Sequence, residues 1–71
     1  MTPLQQIGEN LKRARRRCGM TQAQVAEDQG LKTSSMCQYE RGQREPGATR
    51  LHGLACCFGV PMERFFEGVE W

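Results

Sequence analysis

Thr33, Ser34, Cys37 and Gln38 form a stretch whose side chains and spacing suit recognition chemistry. At about 3.6 residues per turn they share one face of a helix, opposite Met36 and Tyr39, which would form its buried side. Gln38 carries a carbonyl oxygen and an amide side by side, the acceptor and donor that match N6 and N7 of adenine in the DNA major groove. Thr33 and Ser34 can contact several bases and the thymine methyl. Cys37 stands at the margin of this base-reading set. Groups suited to a phosphate backbone surround it. Gln22 falls in the first turn of a preceding helix, where free backbone N–H groups and the positive end of the helix dipole can face an anion. Lys32, Arg44, Arg13, Arg16 and Arg17 add cationic side chains, and their shared field favours association with a polyanion even where a given residue touches no phosphate.

The segment Thr21 to Gly42 has the steric grammar needed to hold these groups. Thr21 and Gln24 make a capping box, and Val25 and Ala26 supply the buried side of a short helix. Ala26 leaves room for a crossing helix. Gly30 falls where the chain reverses and a left-handed backbone is least costly without a Cβ. Leu31 plugs the elbow, a second helix runs from Thr33, and Gly42 ends it. The result is a helix-turn-helix. Ahead of it, Leu4, Ile7, Leu11, Ala14 and Cys18 recur at steps of three and four, an apolar stripe along a first helix from Leu4 to Cys18 that Gly19 ends. Beyond it, Gln43 to Gly47 reads as a loop that Pro46 forbids from continuing as helix. Leu51, Leu54, Ala55 and Phe58 define a helix from Ala48 to Phe58, and Met62, Phe65 and Phe66 a last short one before Gly68. Short connections throughout predict an all-α, compact five-helix bundle over residues 1–71, with a short tail at residues 69–71.

The chain has 71 residues, 38% of them hydrophobic, and a formal net charge of +2, so it can build one small core of about a dozen side chains. The charge is unevenly spread. Lys12, Arg13, Arg15, Arg16 and Arg17 oppose Glu9 early in the chain, while Glu63, Glu67 and Glu70 oppose Arg64 late in it. No run approaches the roughly 20 apolar residues of a membrane span and the first residues lack the apolar core of a signal peptide, so a cytoplasmic protein with no membrane contact is expected. Cys18, Cys37, Cys56 and Cys57 form no C-x-x-C pair, and His52 with Cys56 makes at most half a metal site. Reduced thiols, no metal and no cofactor are the expectation. With one histidine, no Gly-rich phosphate loop and a core too small to wall off a pocket, neither an enzyme nor a small-molecule ligand is expected.

Taken in order, Ile7-Gly8, Leu11, Arg15, Gly19-Met20-Thr21-Gln22, Val25-Ala26, Gly30-Leu31, Met36, Tyr39-Glu40-Arg41-Gly42, Pro46, Leu51, Leu54-Ala55 and Gly59-Val60 resemble the phage-repressor and Cro type of helix-turn-helix, the XRE family, over about Ile7 to Gly68. Each fragment alone is weak. Their order and spacing together are specific, since three elements must agree in register. The resemblance implies a lambda-repressor-like DNA-binding fold whose third helix reads the major groove, and a clamp on the DNA backbone at Gln22. It also implies a structural ion pair between Arg15 and Glu40 that fixes the first helix against the third. Three positions depart from the pattern: Gln29 and His52 stand where apolar residues are usual, and Gly53 falls inside a helix, where it costs on the order of 1 kcal/mol relative to alanine.

The function expected from these residues is sequence-specific binding of double-stranded DNA by a transcriptional regulator, a repressor by steric block or an activator by polymerase contact. One helix-turn-helix buries too little to be selective in a genome, so a homodimer on a pseudo-palindromic operator is expected. Phe66, Val69 and Trp71 are the candidate dimer interface, because the first four helices already supply enough apolar side chains for a core of this size. The alternative is a protein-interaction module, antitoxin-like or an adaptor, that retains the helix-turn-helix fold and uses its apolar tail for a partner.

Overall fold

Thr2 starts the first helix. Its Oγ1 accepts from the Gln5 backbone N–H at 3.1 Å while its own N–H donates to Gln5 Oε1 at 2.8 Å, and Pro3 occupies the first helical position, where no N–H is needed. In the computed structural model, which describes residues 1–71, α1 therefore spans Pro3–Arg17, one residue earlier at each end than the apolar stripe suggests. The same device recurs at Thr21 and Gln24, with the same two distances, and opens α2, Gln22–Gln29. Gly30 follows with φ +68°, a left-handed turn residue, and the Leu31 N–H reaches back to the Ala26 carbonyl at 2.8 Å. Arg50 Nη1 donates to the Gln29 carbonyl at 2.9 Å, satisfying another free acceptor at that helix end.

The third helix, α3, spans Thr33–Glu40, and Lys32 ahead of it makes no side-chain cap. Its fixation comes from packing. Met36 is fully buried and Tyr39 nearly so, and the helix end lies against α1 at Gly8. A Cβ on Gly8 would sit 2.5 Å from the Glu40 carbonyl oxygen, so only glycine lets the two backbones come this close. The fourth helix, α4, spans Ala48–Phe58, and the chain closes with a five-residue 3-10 helix, Met62–Phe66. There are thus four α-helices and one 3-10 helix; the segment between Pro61 and Gly68 is too short to gain from α-helical bonding.

Ile7, Leu11 and Ala14 of α1 meet Val25, Met36, Tyr39, Leu51, Leu54, Ala55, Phe58 and Phe65 in one core. Phe58 and Phe65 pack edge to face, with centroids 6.2 Å apart at 87°, and join α4 to the 3-10 helix. Asn10, which carries no signal in the apolar stripe, is the polar bolt of that end. Its amide nitrogen donates to the Phe65 and Glu67 carbonyls, both at 2.8 Å, and its oxygen accepts from Gln6 at 3.1 Å. Two departures from the family pattern also meet, between α2 and α4: the Gln29 side-chain oxygen fills the space that a Cβ on Gly53 would need. The half-buried polar side chain and the helical glycine accommodate one another.

Candidate nucleic-acid interface

Arg15 lies at the centre of the contacts that orient the helix-turn-helix. Its Nε is 2.6 Å from Glu40 Oε2 and its Nη2 is 3.1 Å from Glu40 Oε1, a two-point contact between α1 and the end of α3. Nη1 donates to the Met20 carbonyl at 2.9 Å, in the turn before α2. Gln22 Nε2 donates to Glu40 Oε1 at 3.0 Å and brings the start of α2 into the same network. The two side chains of the ion pair are 10% and 3% exposed, so the charges are withdrawn from water and matched by hydrogen bonds to each other, to the Met20 carbonyl and from Gln22. Three helices are thereby held at one crossing. Gln22 is tethered by this bond, which leaves one of its amide hydrogens and its carbonyl oxygen to meet a ligand.

With Met36 and Tyr39 turned inward, α3 presents Thr33, Ser34 and Gln38 to solvent, with Cys37 half-buried beside them. The Thr33 and Ser34 N–H groups find no acceptor in the protein, since Lys32 supplies no cap. Hydrogen-bond donors and a positive dipole end therefore face the same way as the candidate base readers. Thr33, Cys37 and Arg41 form one wall of an open groove, Gln22 its end, and Lys12 with Arg16 the opposite wall on α1. Arg44 is held at the other side of α3, where Nη1 donates to Ser35 Oγ at 3.1 Å and the guanidinium stands 5.7 Å from the Tyr39 ring centroid. Lys32 is exposed at the entry to the helix.

The arginines of α1 do not share a face. Arg16 borders the groove with α3, whereas Arg13 and Arg17 border a separate cleft against α4 and the 3-10 helix. Lys12 and Arg41 also border the groove, and residue type alone gives them no such place; Lys12 lies one helical turn before Arg16, a spacing that places the two together. At the C-terminal end, Phe65 is wholly buried, and Phe66 and Val69 are half-buried against the core. Trp71, 85% exposed, is what remains as free apolar surface there, its ring 6.2 Å from that of Phe66.

The cysteines are four free thiols. Cys56 lies 3.6 Å from His52 Nε2 on an exposed face of α4, and no three His, Cys, Asp or Glu side chains converge. Cys57 is pushed up to about 11 by burial and by the neighbouring Asp28 carboxylate, which disfavours its thiolate. No helix is long and apolar enough to cross a membrane.

A helix-turn-helix domain model matches residues 6–65, the span that contains the ion-paired crossing and the exposed face of α3. The chain belongs to the helix-turn-helix domain family. Its architecture is that of the XRE-like DNA-binding domain, all-helical and without strands. An uncharacterized HTH-type transcriptional regulator of Sinorhizobium medicae is 31% identical over 61 residues, 86% of this chain and 44% of that protein. Another from Sinorhizobium fredii is 37% identical over 54 residues, 76% of this chain and 70% of that protein. This helix-turn-helix chain thus spans less than half the length of the first relative. Among solved structures, the restriction-modification controller protein C.AhdI from Aeromonas hydrophila superposes with a TM-score of 0.84 at 28% identity, over 89% of this chain and 96% of that one. The DNA-binding domain of BldD gives 0.81 at 30% identity, over 90% and 93%.

Proposed function

We propose that this helix-turn-helix protein is a sequence-specific regulator of transcription that places α3 in the major groove of duplex DNA and acts as a dimer on a pseudo-palindromic operator. The observation that carries the reading is the combination found at α3. The helix is locked from behind by the Arg15–Glu40–Gln22 network, and its outer face is polar, exposed and open at the N-terminus. Side chains held this way meet base edges at little entropic cost. In this reading Gln38 contacts adenine, Thr33 and Ser34 contact neighbouring bases, and Cys37 lies at the edge of the contact. Gln22, Lys32, Arg16 and Arg44 hold phosphates and set the register. Lys12 and Arg41 add to the field along the groove. The names of the relatives as transcriptional regulators, and of two structural neighbours as a controller protein and a DNA-binding domain, support the same assignment.

The test is selection of bound sites from random duplex DNA, followed by titration of the selected and an unrelated duplex at several salt concentrations. A selected consensus with two half-sites about 10 base pairs apart, together with a steep fall of affinity with salt, is the expected result. Gln22→Ala should weaken both duplexes alike, because phosphate contacts carry little direct sequence information. Binding that is indifferent to salt, or no enrichment of any sequence, removes the reading and favours a protein-interaction module.

A further inference from the structure

Arg13 and Arg17, one helical turn apart on α1, stand with Arg64 around a cleft of about 230 Å³ floored by Ala14, Phe58 and Val60. The cleft's one carboxylate, Glu67, is taken up by Arg64 at 3.2 Å, and neither Arg13 nor Arg17 has a carboxylate within ion-pair distance. The cavity lies below the roughly 300 Å³ at which small-molecule sites begin, and it is of a size for one aromatic ring, with the exposed Arg13 and Arg17 left to meet a carboxylate beside it. Its chemistry asks for an apolar ring carrying a negative charge beside it. Glu70 and Trp71 offer that pairing: Glu70 is exposed and unpaired, and Trp71 is exposed for 85% of its surface. The cleft and the tail are at the same end of the molecule, because Glu67 borders the cleft while its neighbour Phe66 contacts the Trp71 ring.

We propose that the cleft formed by Arg13, Arg17 and Arg64 receives Glu70 and Trp71 of a second copy of this chain, in a reciprocal two-fold exchange. The indole lies on Phe58 and Val60 with guanidinium groups against its faces, and Glu70 pairs with Arg13 or Arg17. One two-fold operation satisfies both clefts at once, which makes the contact self-limiting. Arg13 and Arg17 then serve assembly, and the DNA is left to Arg16, Lys12 and the residues of α3. The inference rests on the dimeric reading above and gives it an address.

Charge exchange tests it on the whole chain without DNA, by sedimentation equilibrium at micromolar concentration, with circular dichroism to show that the exposed substitutions leave the helices intact. The parent should dimerise. Arg17→Glu and Glu70→Arg should each weaken self-association by about tenfold or more, from repulsion between like charges. Mixing the two single variants should restore a dimer, since one contact is then native and the other charge-reversed, and combining both changes in one chain should do the same. Trp71→Ala should weaken association in every background. A parent that stays monomeric overturns the inference. So does restoration in the doubly changed chain but not in the mixture, because the contact would then lie within one chain. A dimer indifferent to all of these changes also removes this cleft as the interface, while leaving the dimeric regulator standing through another surface.

Discussion

The two helices of the helix-turn-helix have the same length, eight residues, and are held in opposite ways. Local chemistry fixes α2: a reciprocal Thr21–Gln24 box starts it, and a left-handed glycine ends it. At the N-terminus of α3 no such device exists, and tertiary contacts from α1 and α2 fix the helix instead, through Gly8, Arg15 and Gln22. A side-chain cap would occupy the backbone N–H groups that α3 leaves free. The helix with the exposed polar face leaves its first N–H groups unclaimed and is stabilised from its far end.

The contrast breaks most severely at the ion pair. Arg15→Ala or Glu40→Ala should each cost about 3–5 kcal/mol in urea unfolding, because either leaves a buried charge without its partner. The double change should cost clearly less than the sum of the singles, and strict additivity would mean that the two residues do not act together. Gly8→Ala should follow, at about 1–3 kcal/mol, since the added carbon meets the Glu40 carbonyl and must push α3 away from α1. A melting temperature equal to the parent's would show that the crossing is looser than the contact implies.

On the reading face the expected loss lies in binding. Gln38→Ala should cost roughly 1–3 kcal/mol on the selected operator and relax preference at one base position, while unfolding stability changes by about 0.5 kcal/mol or less. Unchanged affinity and unchanged base preference would sink the assignment. The smallest effect sharpens the comparison of caps: Thr21→Ala should cost about 1 kcal/mol of stability, whereas Lys32→Ala, which removes no cap, should cost little stability and act on DNA affinity. Equal losses of stability from the two changes would erase the difference between the helices.

How far the sequence reaches depends on the range of the interaction. Thr21, Gln24, Gly30 and Gly42 act on backbone groups a few residues away, and the stripe of Ile7, Leu11 and Ala14 follows from helical periodicity, so the helix-turn-helix and the order of the helices are legible without coordinates. The polar face of α3 is legible for the same reason, as the side opposite Met36 and Tyr39. Periodicity places Arg13, Arg16 and Arg17 around α1 but cannot say which neighbour covers which side. Packing decides that Arg16 joins the groove and the other two join the cleft. The two carbonyls held by Asn10 lie more than fifty residues away, and the fit of Gln29 beside Gly53 bridges two helices. Phe66 and Val69, apolar and near the chain's end, read as free surface until the 3-10 helix folds them half onto the core. Local hydrogen bonding and helical period are properties of neighbouring residues and are written in the sequence. Which surfaces meet, and which charges are left unpaired, depends on helices packed from distant parts of the chain, and only the tertiary structure decides it.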